Sequence, residues 1–183
     1  MIYYDVENAI DDIIEYLNNS TTGINAAITA LNTQKSAQDT AAGRVVMALT
    51  KFQYDTGGVA TDGLKEGQNL NFFMLEEACN YDPFMLVEIQ DWVSDELGAD
   101  TITLNFVIVT EDVADGTDPK RKLLRYARVL RATLLQFISG SALVNATKIS
   151  DIAPDVAQTF IDGVSRSYYS VGVSVQIVCA NTD

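Results

Sequence analysis

A chain of 183 residues that is 48% hydrophobic is long enough to bury a core as one domain without disulfides or metal. Its two cysteines, Cys79 and Cys179, stand one hundred positions apart and it has no histidine, which excludes the usual zinc spacings and a cysteine–histidine nucleophile; both thiols are expected to be buried and inert. A formal net charge of -13 argues against a general nucleic-acid binder, because phosphates repel most of such a surface.

The amino terminus, MIYYDVENAIDDIIEYL, has neither a basic flank nor an uninterrupted apolar run, so it reads as neither a signal peptide nor a membrane span. A cytoplasm, or a particle assembled there, is the expected home. From Tyr3 to Leu17 the apolar Val6, Ile10, Ile13, Ile14 and Leu17 keep helical spacing, with Asn8, Asp11, Asp12 and Glu15 on the opposite side, which predicts an amphipathic helix with an acidic back. A second helical pattern follows Thr22 through Ile24, Ile28 and Leu31. NTQKSAQDTAAG then loses periodicity and is predicted as a loop. RVVMALTKFQY is β-like but ambiguous, and DTGGVATDGLKEGQN, with Gly57, Gly58, Gly63 and Gly67, reads as an exposed mobile loop without P-loop or dinucleotide spacing.

The second half is more regular. PFMLVEIQDWV predicts a strand with Met85, Val87 and Ile89 on one face, TITLNFVIVT another with Ile102, Leu104, Phe106 and Ile108 aligned, and DELGAD an antiparallel connection between them. Asp118 followed by Pro119 marks a helix start, and Leu123, Ala127, Leu130, Leu134 and Phe137 form a buried stripe reaching about Gly140. LVNATKI and PDVAQTFI read as two shorter strands, and Asp162-Gly163 as a hairpin leading into SRSYYSVGVSVQIVC. That last segment sets Tyr169, Val171, Val173, Val175, Ile177 and Cys179 on a core face, and Ser170, Gly172, Ser174 and Gln176 on a small, polar face against which another surface could sit closely. The fold class is α+β: an antiparallel or mixed sheet packed by the long helix of the second half and by the amino-terminal helix.

Half of all the lysines and arginines fall in one segment, Lys120, Arg121, Lys122, Arg125, Arg128 and Arg131, so the molecule is electrically two-sided. Projected at about 100° per residue, Arg121, Arg125 and Arg128 cluster opposite the leucine stripe, with Arg131 on one flank, and this face is expected to be exposed. Basic residues in the first turn oppose the helix dipole by up to about 1 kcal/mol each unless an anion is near. Glu111, Asp112, Asp115 and Asp118 can supply it locally; alternatives are the acidic first helix of an adjoining copy and nucleic acid. Reversing Arg125 and Arg128 to glutamate is expected to leave the monomer folded while weakening association.

Sites of chemistry are not announced. DVADGTD lacks calcium-loop spacing, the pairs Glu76/Glu77 and Asp11/Asp12 have no accompanying histidine, and serine-nucleophile motifs are missing, so no catalytic, cofactor or metal site is expected and the chain does not read as an enzyme.

The order of a leading helix, DPFMLVEI, TITLNFVIV, a loop, PKRKLLRYARVLRATLLQF and a terminal SYYSVGVSVQIV resembles the tail terminator, or tail completion, proteins of tailed bacteriophages. The likeness spans the first helix and nearly everything from Asp82 to Ala180. It departs in the stretch of about 23–81, which is longer than compact members need and would be an inserted helix and loop in a single domain of 1–183. The resemblance implies a subunit of a hexameric ring that caps the tail tube, ends its growth and meets the neck and head connector proteins, in a virion assembled in the host cytoplasm. It implies subunit contacts through the helix with Arg121, Arg125 and Arg128 and through the loop of 111–117 with Glu111, Asp112 and Asp115; the charge pattern adds Arg131 and the acidic Asp11, Asp12 and Glu15 as expected interface residues. Passive contact with DNA in the lumen is left open by spacing. The alternatives are another neck, collar or head-completion protein, and a nucleic-acid-binding module using the helix of 119–138.

Overall fold

A computed structural model of the chain describes residues 6–56, 59–64, 82–94, 99–111, 118–141, 144–161 and 164–179. Helix α1 (Val6–Asn18) forms where the apolar spacing predicts it: Ile10, Ile13, Ile14 and Leu17 are buried, and Asp11, Asp12 and Glu15 are exposed. Asn19 turns the chain, its Oδ1 accepting the Thr21 and Thr22 N–H groups at 2.9 and 3.0 Å. A Cβ at Gly23 would come within 2.3 Å of the Leu17 carbonyl oxygen, so the tight passage into α2 (Ile24–Ala41) requires glycine.

Helix α2 corrects the loop expected over NTQKSAQDTAAG. It continues through that stretch to Ala41 and closes with Gly43 at φ 62°, where Arg44 N–H donates to the Asp39 carbonyl and Gly43 N–H to that of Thr40. These bonds satisfy carbonyls that the last turn leaves open. Alanine-rich composition and a terminal glycine sustain the helix although its outer face is polar.

Residues 44–52, ambiguous in sequence, belong to neither helix nor strand. They form a strap held by side chains in place of a strand partner. Asn32 exchanges two hydrogen bonds with Leu49, at 2.7 and 2.8 Å, Asn25 does the same with Phe52, and the Tyr126 hydroxyl accepts from Thr50 N–H at 3.0 Å and donates to the Thr50 carbonyl at 2.9 Å. Met47, Leu49 and Phe52 are thereby pressed into the core. Beyond the strap, the expected mobile loop contains an antiparallel hairpin, β1 (Gln53–Thr56) with β2 (Val59–Asp62), while Gly57, Gly58 and Gly67 lie outside the described residues. The Asp62 carboxylate accepts from Gln53 Nε2 and Lys51 Nζ, which together hold its carboxyl below the usual range.

The main sheet has the order β3-β4-β6-β5, antiparallel throughout, with β3 (Phe84–Ser94), β4 (Asp100–Glu111), β5 (Val144–Ile161) and β6 (Val164–Cys179). The β3–β4 pairing is as the alternation predicts. Ile102, Leu104, Phe106 and Ile108 oppose Ile177, Val175, Val173 and Val171, all buried beneath the long helix α3 (Pro119–Gly140). Each such side chain contributes about 1.5–3 kcal/mol of hydrophobic stabilisation. Cys179 is buried at the end of the same row, and Cys79 lies outside the described residues. The two shorter strands expected over LVNATKI and PDVAQTFI are one strand from Val144 to Ile161, Leu143 lying outside the described residues. Pro154 falls where the register shifts between Ile152 and Asp155, on an outer strand, the setting in which a sheet tolerates a residue without an N–H.

Candidate functional site

Helix α3 starts as expected, the Asp118 side chain accepting the Lys120 N–H at 3.0 Å. Leu123, Tyr126, Leu130 and Leu134 lie in the core. Its basic face departs from expectation. Arg125 is only 7% exposed and Arg121 half-buried, whereas Arg128 is exposed. The cause is the extra length of α2, whose last turns bring Asp39 against that face. Arg125 Nη2 meets Asp39 Oδ2 at 2.6 Å, Arg121 Nη2 meets Oδ1 at 2.6 Å, and Arg44 Nη2 reaches Oδ1 at 3.3 Å. Arg125 also donates to the Met47 carbonyl. Arg125→Glu would therefore set a carboxylate against the buried Asp39, so that substitution is not a benign surface change.

The Arg125 hydrogen bond is the largest influence on the Asp39 carboxyl; burial opposes it, and the Met47 N–H and the charges of Arg125 and Arg121 reinforce it, leaving the group lowered to about 2. Arg121 of the first turn and Arg125 of the second thus find their anion, Asp39, within the chain. Tyr126, deeper in the same seam, has its hydroxyl pushed up by burial, and the Asp82 charge adds to the effect. Arg131 forms a half-exposed ion pair with Asp151 of β5 at 2.9 Å, a further tie within the subunit.

Three arginines converge on one carboxylate, so the cluster keeps a positive excess. It opens to solvent as a cleft of about 360 Å³ lined by Lys35, Arg44, Arg121, Arg125 and Arg128, with Leu31 and Leu124. The sequence reading missed Asp39, Lys35 and Arg44. Gly43, a helix stop preceded by two alanines, was the signal that α2 reaches this far.

A second cleft, of about 600 Å³, lies by the other end of α3. Asp12, Glu15, Tyr16 and Asn19 line it from the α1 side, and Gln136, Phe137, Ser139, Gly140 and Ser141 from the α3 side. Tyr16 and Phe137 pack with ring centroids 5.3 Å apart. Carboxylates here meet the carbonyl end of a helix, so the cleft favours cations. The predicted residues Asp11, Asp12 and Glu15 thus stand together, at the opposite end of α3 from the arginines. Glu111 is apart from both groups, its N–H donating to Asp82 Oδ1 at 2.8 Å where β3 begins. Asp112 and Asp115 lie outside the described residues.

Two further surfaces belong to the sheet. On the face away from α3, Thr103, Asn105 and Val107 oppose Gln176, Ser174 and Gly172; Gly172 is buried and the others are half-buried. A Cβ at Gly172 would come within 2.4 Å of the Phe106 carbonyl oxygen. Strand β3 has no partner on its outer side among the described residues, and its end exposes Ile89, Trp92 and Val93. An apolar open edge of this kind invites pairing with another chain. Among the described residues, no group of three or more Cys, Asp or Glu side chains is placed to hold a metal ion, and no helix is long and apolar enough to cross a membrane. Neither a protein-family model nor a curated protein sequence matches this chain.

Proposed function

We propose that the chain is a structural subunit of a tailed bacteriophage, of the tail terminator type: copies close into a ring, six in number by the resemblance, that caps the tail tube, ends its growth and presents a rim to the neck. The observation that carries this reading is the distribution of surfaces on the α+β subunit. Two hairpins flanking one long helix give a sheet with a helix-bearing face, a face of short side chains and an apolar open edge, and the helix has clefts of opposite charge by its two ends. Unlike surfaces on one subunit favour head-to-tail contacts, and such contacts make a ring when the rotation closes. The element order from DPFMLVEI to SYYSVGVSVQIV supports the same reading.

The function so proposed is scaffolding in the virion, with tail tube and neck proteins as partners. Mass photometry and negative-stain microscopy of the purified chain test it. Sixfold rings, or sixfold caps on added tail tubes, support it. Twelvefold rings would move the protein to the head side of the neck, and a lone particle at every concentration, also with tube or neck material, would overturn it.

A further inference from the structure

The basic cleft is more strongly charged than its internal partner requires. Asp39 is committed to Arg125, Arg121 and Arg44, so one carboxylate faces three guanidinium groups, and Arg128, exposed in the same cleft, has no ion pair among the described residues. Lys35 adds a further cation, its Nζ donating to Gln38 Oε1 at 2.6 Å. Leu124, 60% exposed, sits among them as an apolar contact. At the far end of α3 the exposed carboxylates of α1 run the other way in charge: Glu7, Asp11 and Glu15 recur every four residues and span about 12 Å of helix, against roughly 10 Å from Arg121 to Arg128.

We infer that the cleft of Lys35, Arg44, Arg121, Leu124 and Arg128 is the docking site for the acidic face of α1, Glu7, Asp11 and Glu15, of a second copy of this chain. The inference rests on the ring reading and assigns its subunit contact. The α3 residues that line the two clefts, 121–128 and 136–141, are centred roughly 20 Å apart along the helix, and among the described residues no ion pair joins Glu7, Asp11 or Glu15 to the basic cleft within one subunit. A contact joining them between copies is heterologous and repeats head to tail. It also places carboxylates against cations in a chain whose net charge of -13 otherwise repels its own copies. A carboxylate face is favoured over nucleic-acid phosphate because a duplex approaching this cleft would meet the acidic remainder of the surface.

A charge-swap experiment tests this. Variant one carries Lys35→Glu and Arg128→Glu, which leaves the Asp39 lock untouched; variant two carries Asp11→Lys and Glu15→Lys, both on the exposed side of α1. Thermal melting and circular dichroism check that both remain folded. At a concentration where the unaltered chain is oligomeric, each variant alone is expected to show the single-chain mass, and an equimolar mixture to recover the oligomer, because each acidic face then meets a basic one. Retention of the full oligomer by either folded variant alone, or failure of the mixture to recover it, overturns the assignment while the ring reading stands. If the unaltered chain is itself single at every concentration, also with tail tubes, the ring reading fails and the contact falls with it. Anisotropy with a short DNA duplex at low salt supplies the remaining arm: binding that is lost in variant one while its oligomer mass is unchanged gives the cleft to phosphate and overturns carboxylate docking.

Discussion

Asn25 of α2 and Phe52 of the strap exchange two hydrogen bonds, Asn25 Nδ2 donating to the Phe52 carbonyl at 2.9 Å and Phe52 N–H donating to Asn25 Oδ1 at 2.8 Å. A carboxamide carries a donor and an acceptor side by side, the pair that a neighbouring strand would present. Asn32 repeats the arrangement with Leu49 seven residues on, and Asn18 of α1 repeats it with Leu64. A strap that would otherwise bury unsatisfied backbone is thus stitched to α2 by Asn25 and Asn32, and to α3 by Tyr126, while Asn18 holds the chain beyond β2.

Asn25→Ala leaves the Phe52 N–H without a partner, while the Phe52 carbonyl keeps the Gly63 N–H at 2.8 Å, and the expected loss is about 1–3 kcal/mol in urea unfolding. The effect is also local. Amide exchange should accelerate at Phe52 in Asn25→Ala and at Leu49 in Asn32→Ala, each more than at the other position; equal acceleration at both sites in both variants would mean that the strap is held by burial alone.

Arg125 and Arg128 are three residues apart on α3 and are expected to behave as different kinds of residue. Arg125→Met removes one member of a buried ion pair and its bond to the Met47 carbonyl, which corresponds to a fall of roughly 10 °C in Tm. Arg125→Glu should be worse, because it adds repulsion against Asp39. Arg128→Glu, on an exposed position, should stay within about 0.5 kcal/mol of the unaltered chain. Calorimetry of the three proteins checks the order, and equal melting of Arg125→Met and Arg128→Glu would contradict it.

The contrast explains where the sequence was legible. Leu123, Leu130 and Leu134, and the row from Ile102 to Ile108, are core because a helix or strand with one apolar face has only one way to lie, and local spacing reports it. The acidic back of α1 was legible for the same reason. Arg125 was not, because its burial depends on α2, whose final turns have a polar outer face and announce themselves only through the Gly43 stop. Nor was the strap, since Asn25, Asn32 and Tyr126 clamp it from 27, 17 and 76 positions away. The joining of two predicted strands into β5 turns on tertiary context too: Pro154 looks like a break, and its place on an outer strand at a register shift removes the cost.

Trp92 is the chain's one tryptophan and is 59% exposed at the open β3 edge, so its fluorescence reports on that edge alone. Emission of the dilute chain should be that of a hydrated indole, shifting to shorter wavelength on assembly into rings or onto tail tubes. Trp92→Lys should leave stability within about 0.5 kcal/mol while weakening association. An emission maximum that does not move as the mass rises would show that the edge stays open and that assembly uses other faces.

Acid should loosen the α2–α3 seam in a defined window. The Asp39 carboxyl lies at about 2 in the folded chain against an ordinary 3.8, held down first by the Arg125 hydrogen bond. A carboxyl whose folded value is depressed stabilises the fold above its unfolded value, and the contribution fades as pH falls from about 5 through about 2, where the folded-state group is half protonated, and is fully lost only below both values. Asp39→Asn cannot take up this proton. Below pH 5 the stability difference between the unaltered chain and Asp39→Asn is therefore expected to shrink, and to level off only below about pH 2, while staying constant from pH 5 to pH 7. Urea unfolding of both proteins at matched pH isolates this proton, since the remaining carboxylates cancel in the comparison. A difference that holds steady down to pH 2 would mean that Asp39 does not carry the acid sensitivity of the seam.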